Sequence, residues 1–123
     1  MQQRRFVFTV VLGCLLMAVP ISAQVNYPDD IKSVVAQYPG SQVEMAMKMA
    51  QGSQVILSSG DSTEKVYAFY KQALSSSGWE NQMEMNHQEG IQGHWRQGDK
   101  MFHVVVTKND EKTQIMLMLG RSQ

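Results

Sequence analysis

Cysteine is almost missing from this chain of 123 residues, in which Cys14 is the only one. A single cysteine excludes an internal disulfide and every zinc site that needs several thiolates. Signatures of catalysis are missing as well, because no serine lies in a Gly-x-Ser-x-Gly turn and no glycine pattern is suited to cradle a phosphate. We therefore predict no catalytic residue, no cofactor and no enzyme activity. A hydrolase whose site is assembled from distant residues stays open as an alternative.

An excess of charge of one sign is also missing, since 11 Lys and Arg residues balance 11 Asp and Glu residues. Charges of both signs alternate along the chain and form no basic face. Because phosphate backbones are bound by basic faces, this distribution excludes nucleic acid as a partner.

The longest apolar run lies at the N-terminus. It covers residues 6–21, follows Arg4 and Arg5, and is followed by Ser22 and Ala23. A basic start, an apolar segment and small residues before a cleavage point are typical of a secretory signal peptide. We predict a signal peptide over residues 1–23, cleavage after Ala23, no stable membrane anchor after cleavage, and a periplasmic or extracellular location.

Two other uses of this segment stay open. An uncleaved segment would anchor the chain in a membrane, although Gly13 and Pro20 interrupt the apolar run. Lipidation at Cys14 would leave the apolar residues 15–19 exposed after the modified cysteine, which is unfavourable. Cleavage after Ala23 instead leaves nine basic and eleven acidic residues, a formal net charge of −2, and no cysteine.

About 100 residues then remain, which is enough for one hydrophobic core without disulfides. We assign residues 24–40 to an N-terminal segment with a short helix over residues 28–36. Residues 41–121 form a single α+β domain. Apolar residues alternate with polar ones in several short segments of this domain, which predicts six strands.

The clearest helix lies between the second and third strands. Asp61 or Ser62 can cap it, and Glu64 completes a capping box with Asp61. Its apolar residues recur on one face, namely Val66, Phe69, Tyr70, Ala73 and Leu74. The order of elements, α-β-β-α-β-β-β-β, predicts a two-layer α+β fold in which this main helix packs on one face of an antiparallel sheet.

The last two strands carry apolar residues on both of their faces. In the fifth strand, for example, Val104 and Val106 alternate with Met101 and Val105. A sheet with helices on one side normally has a polar second face. We therefore expect the N-terminal helix, a protein partner, a second copy of the chain or a ligand to cover the second face.

A set of motif residues extends through the domain: Pro39, Gly40, Asp61, Ser62, Val66, Phe69, Tyr70, Leu74, Gly78 and Trp79. With these residues the chain, from about residue 38 to 119, resembles a loose group of small bacterial exported proteins that share a PG…DS…VxxFYxxxLxxxGW pattern. The resemblance implies an exported protein with this fold. It implies no catalytic or binding residue, because caps, core positions and a helix stop account for the matches.

Methionine is the strongest compositional bias. Eight methionines follow the predicted cleavage point, namely Met45, Met47, Met49, Met83, Met85, Met101, Met116 and Met118. Methionine is an adaptable core residue, and we expect core packing to be the main role of these side chains. The alternative is a Cu(I) or Ag(I) site, because thioethers and imidazoles bind soft cations. Met83, Met85 and His87 share one face of a strand and are the candidate ligands, with His94 or His103 nearby.

The remaining candidates are weaker. The spacing of the three histidines matches no standard zinc-ligand pair. Tyr70 and Trp79 are expected in the core because they lie on or beside the apolar helical face. Tyr67 lies off that face and is expected to be exposed.

These observations predict a non-enzymatic exported binding module that contacts a protein partner or a second copy of itself through the second sheet face. A methionine-rich Cu(I) or Ag(I) binding protein is the first alternative, and a hydrolase is the second.

Overall fold

A computed structural model describes residues 25–121, so the predicted signal peptide and Cys14 lie outside the described residues. Two helices and six strands follow one another in the predicted order. Their bounds are α1 Asp29–Lys32, β1 Gln42–Met49, β2 Gly52–Ser59, α2 Thr63–Ser76, β3 Glu80–His87, β4 Gly90–Gln97, β5 Lys100–Asn109 and β6 Lys112–Arg121.

The six strands form one sheet with the spatial order β1-β2-β6-β5-β4-β3. All neighbouring strands are antiparallel. The pairing of β2 with β6 joins the first hairpin to the last strand, which leaves β1 and β3 as the two edges. With α2 packed on one face of the sheet, the predicted two-layer α+β fold is confirmed.

The start of α2 differs from the predicted capping box. Ser62 is the N-cap, and its hydroxyl accepts a hydrogen bond from the Lys65 backbone N–H at 3.2 Å. Glu64 therefore does not occupy the third helical position that a capping box requires. The Asp61 carboxylate instead accepts a hydrogen bond from the Tyr38 hydroxyl at 2.6 Å. The prediction that Ser62 can cap the helix is confirmed. The predicted capping box of Asp61 and Glu64 is wrong, because the Asp61 side chain has a tertiary partner in Tyr38.

The core lies between the two helices and one face of the sheet. Along β2, β4, β5 and β6 every second residue is buried, as a strand with one covered face requires. The largest fully buried side chains are Trp95, Tyr70 and Phe102. Gly93 makes room for Tyr67 and Trp95, because a Cβ there would overlap the Tyr67 hydroxyl and lie 2.6 Å from the Trp95 ring.

The N-terminal helix lies on the same side of the sheet as α2. Ile31 is fully buried in the same core cluster, and the Asp30 carboxylate accepts a hydrogen bond from Ser53 of β2. The helix is also shorter than the predicted 28–36, because it ends at Lys32. So short a helix depends on tertiary packing. Consequently α1 does not cover the second sheet face.

Candidate functional site

One face of the sheet is covered by neither helix of residues 25–121, and it carries an unusual set of side chains. Each Met-x-Met pair lies on one strand and points both sulfurs to the same side, because side chains alternate along a strand. Strand pairing places all of them on the side opposite the buried residues. We call this surface the methionine face; it contains the eight methionines Met45, Met47, Met49, Met83, Met85, Met101, Met116 and Met118 and the three histidines His87, His94 and His103.

Two rows of directly paired residues cross the methionine face from edge to edge. The first row contains, from β3 to β1, Met83, His94, His103, Met118, Gln54 and Met47. The second row contains, in the same direction, Met85, Gln92, Val105, Met116, Ile56 and Met45. Neither row contains Asp, Glu, Lys or Arg. The centre of the face is therefore uncharged when its histidines are neutral.

The methionines are not core residues, which corrects the expectation that they fill the interior. The buried core of residues 25–121 contains no methionine. Five methionines are exposed, and their exposed fractions range from 36% at Met83 to 46% at Met47. The alternation of side chains along a strand predicted that each Met-x-Met pair shares a face. Only the tertiary structure shows that neither helix of residues 25–121 covers this face.

His94 and His103 lie together near the centre of the first row. Their rings stack with centroids 4.0 Å apart and planes 20° from parallel. Partial burial lowers the pKa of His103 below its usual 6.5, and the neighbouring His94 lowers this pKa further by a smaller amount. The imidazole of His103 is therefore neutral at pH 7 and offers a nitrogen lone pair.

The sequence-predicted ligands Met83, Met85 and His87 share the methionine face on edge strand β3. The pairing also places His94 opposite Met83, whereas His87 lies at the end of the strand opposite Gly90. Among residues 25–121 no group of three or more His, Cys, Asp or Glu side chains is placed to hold a metal ion.

A hollow lies at one end of the methionine face. It has a volume of about 470 Å³ and lies beside the β1–β2 turn. Gly52 and Gly120 contribute no side chains to it, and four donor side chains surround it: Met49, Met101, His103 and Met118. We call this cavity the glycine hollow. The four donor side chains come from β1, β5 and β6, so no spacing within the sequence predicts this hollow.

The aromatic predictions have mixed outcomes. Tyr70 and Trp79 are buried, as predicted. Tyr67 is only 4% exposed, so the prediction of an exposed contact is wrong. Its ring packs beside Trp95, and its hydroxyl donates a hydrogen bond to Glu84 on β3 at 3.2 Å. Because β3 and β4 extend the sheet beneath α2, they bury a helix position that lies off the main apolar face.

A family model described as START domain-like matches residues 41–114, which is more than half of the chain. The chain therefore belongs to the START domain-like family, and the matched region begins just before β1 and ends within β6. Neither a curated protein nor a solved structure matches the chain. Within residues 25–121 no helix is long and apolar enough to cross a membrane.

Proposed function

We propose that this protein is a non-enzymatic binding module that acts in the periplasm or outside the cell, and that the methionine face is its contact surface. The occupant of this face is a second copy of the chain. The observation that carries the proposal is the concentration of exposed methionines on a sheet face whose two central rows are uncharged and which neither helix of residues 25–121 covers. The signal-peptide pattern and the resemblance to bacterial exported proteins support the compartment.

The chemistry of the face favours self-association. In a two-fold symmetric contact the same patch lies on both subunits, so a patch with charge of one sign would repel itself. The two central rows of the methionine face have no such charge. Methionine side chains also adapt to one another, because they are unbranched and flexible.

The size of the face is sufficient as well. The two central rows have one further row on each side, one containing Met101 and Gly120 and the other Thr107 and Gln114. Four rows about 6.8 Å apart on six strands about 4.8 Å apart give a surface of about 700 to 800 Å². A standard interface buries about 800 Å² on each partner. Two such sheets can pack face to face, as in a β-sandwich.

Native mass spectrometry of the protein recovered from its expressing bacterium tests this proposal. We expect a dimer of chains that begin at Gln24, and sedimentation velocity should show a dimer that dissociates on dilution. The Met45→Glu and Met85→Glu double variant should be monomeric, because it places two carboxylates from each copy in the contact. Both positions are exposed, so the fold should be retained.

Gln72→Glu is the matched control, since it adds a carboxylate on the exposed side of α2 and should leave the dimer unchanged. A bare monomer at every concentration would overturn self-association, and a double variant that still dimerises would overturn the methionine face as the contact surface. A bound partner of different mass would show that another protein occupies the face. A full-length or lipidated chain would contradict cleavage after Ala23.

A further inference from the structure

Four side chains in the glycine hollow have the chemistry of ligands for a soft cation. Three are methionine thioethers, from Met49, Met101 and Met118, and the fourth is the imidazole of His103. Thioethers select Cu(I) among the common biological metals, and imidazole also binds copper. No carboxylate lines the hollow, and its one charged residue, Arg121, lies 3.4 Å from Asp99. The hollow therefore disfavours Ca²⁺ and Mg²⁺, which prefer oxygen ligands.

The strand register brings three of these donors around one point. Met101 and His103 are two residues apart on β5, so their Cα atoms are about 7 Å apart on the same face. His103 and Met118 are direct cross-strand partners, which places their Cβ atoms about 5 Å apart. Donors on one cation are about 4 Å apart when metal–ligand bonds are about 2.0 to 2.3 Å long. The flexible methionine side chains can close the remaining distance.

The two glycines have different roles in the hollow. Gly120 leaves open space, because a Cβ there would meet only the Gln51 carbonyl oxygen at 4.0 Å, whereas a Cβ on Gly52 would overlap the Leu119 backbone, so Gly52 allows β2 to approach β6 closely. Gly120 is the direct partner of Met101, and Gly52 is the direct partner of Met49. A Cβ on Gly52 would lie 3.0 Å from the Cα of Gly120, so the two glycines are neighbours on adjacent strands. Met49 and Met101 thus flank a pair of positions without side chains. Within the described residues the His103 ring stacks on His94 and its side chain makes no hydrogen bond, which leaves its nitrogens available.

We propose that the glycine hollow binds one Cu(I) or Ag(I) ion through Met101, Met118 and His103, with Met49 as a fourth ligand. This site differs from the one that the sequence suggested at Met83, Met85 and His87. Its ligands belong to the methionine face, and His103 and Met118 lie in the first central row, so this proposal is tested by metal stoichiometry and the proposed self-association by oligomeric state.

Silver titration of protein with methyl-labelled methionines tests the site. The protein used is the mature chain that begins at Gln24, which contains no cysteine, so no thiol competes for the metal. We expect saturation at one Ag(I) per chain, with the largest methyl shifts at Met101 and Met118, a smaller shift at Met49, and little change at Met83 and Met85. A Cu(I) competition assay with a chromophoric chelator under reducing conditions should give the same stoichiometry.

The Met101→Leu and Met118→Leu double variant removes two sulfurs and retains apolar bulk. Loss of even an outer-shell partner weakens metal sites by about tenfold to a hundredfold, so we expect this variant to weaken binding by about a hundredfold or more. Met83→Leu with Met85→Leu is the matched control and should bind as the parent does. No Ag(I) binding by the parent, or a loss of affinity confined to the control variant, would overturn the proposal. If the double variant misfolds, the methyl shifts of the parent decide between the two sites.

Discussion

The two faces of the sheet come from the same strands but differ in the kind of apolar side chain they present. The helix side carries branched and aromatic residues, such as Leu117 and Trp95, that are fully buried. The other side carries methionines that are half-buried or exposed. Branched and aromatic side chains define a single packed core, whereas methionine suits a surface that adapts to what binds it. The comparison separates the face that forms the core from the face that neither described helix covers, which we propose as the contact surface.

Adjacent residues of β6 give the largest contrast between the faces. Leu117→Ala should lower the free energy of unfolding by about 2 to 5 kcal/mol, because it leaves a cavity in the core. Met118→Ala, one residue later, should cost about 1 kcal/mol or less, since its side chain is only half-buried. Chemical denaturation of both variants measures the difference. Equal losses would show that the methionine face is packed as tightly as the core.

Gly93 tests how closely the helix side is packed. Gly93→Ala places a methyl group against the Tyr67 hydroxyl and the Trp95 ring, and we expect a loss of about 1 to 3 kcal/mol. Gly60→Ala is the matched control, because a Cβ there meets no atom within 4 Å. The control should change stability by about 0.5 kcal/mol or less. Thermal unfolding measures the stability of the two variants. Equal stability of the two would contradict the close packing around Gly93.

The histidine pair gives the smallest expected effect, and it belongs to the methionine face. The folded state lowers the pKa of His103, so below pH 6.5 the unfolded chain binds the proton more readily. The free energy of unfolding should therefore fall as the pH decreases from 6.5, and this contribution should level off below the pKa of folded His103. Denaturation at several pH values measures the slope. His103→Gln should reduce it, and an unchanged slope would rule out His103 as its source.

Local patterns predicted the secondary structure because they act within a few residues. Alternation in β2 and β5 indicated strands, Ser62 indicated the start of α2, and Gly78 indicated its end. The same patterns failed where a distant partner decides the outcome. The Asp61 carboxylate accepts a hydrogen bond from Tyr38, and Tyr67 is buried against the β3–β4 hairpin, which lies far from it in sequence.

The candidate site shows the same division. Sequence spacing could place Met83, Met85 and His87 on one face of a strand, because the period of a strand is two residues. It could not bring Met49, Met101, His103 and Met118 together, since the pairing of β2 with β6 and of β6 with β5 does so.

By itself the sequence determined the element types, their order and the two-layer α+β class, because helix and strand periods and caps are local properties. The tertiary structure alone decided which sheet face the helices cover. Both faces of the central strands carry apolar side chains, so the alternation of side chains along a strand does not distinguish the covered face from the other one. The tertiary structure placed α1 on the same side of the sheet as α2, left all eight methionines on the opposite face and joined four strands around the glycine hollow. These outcomes depend on contacts between residues far apart in the chain, which no local pattern encodes.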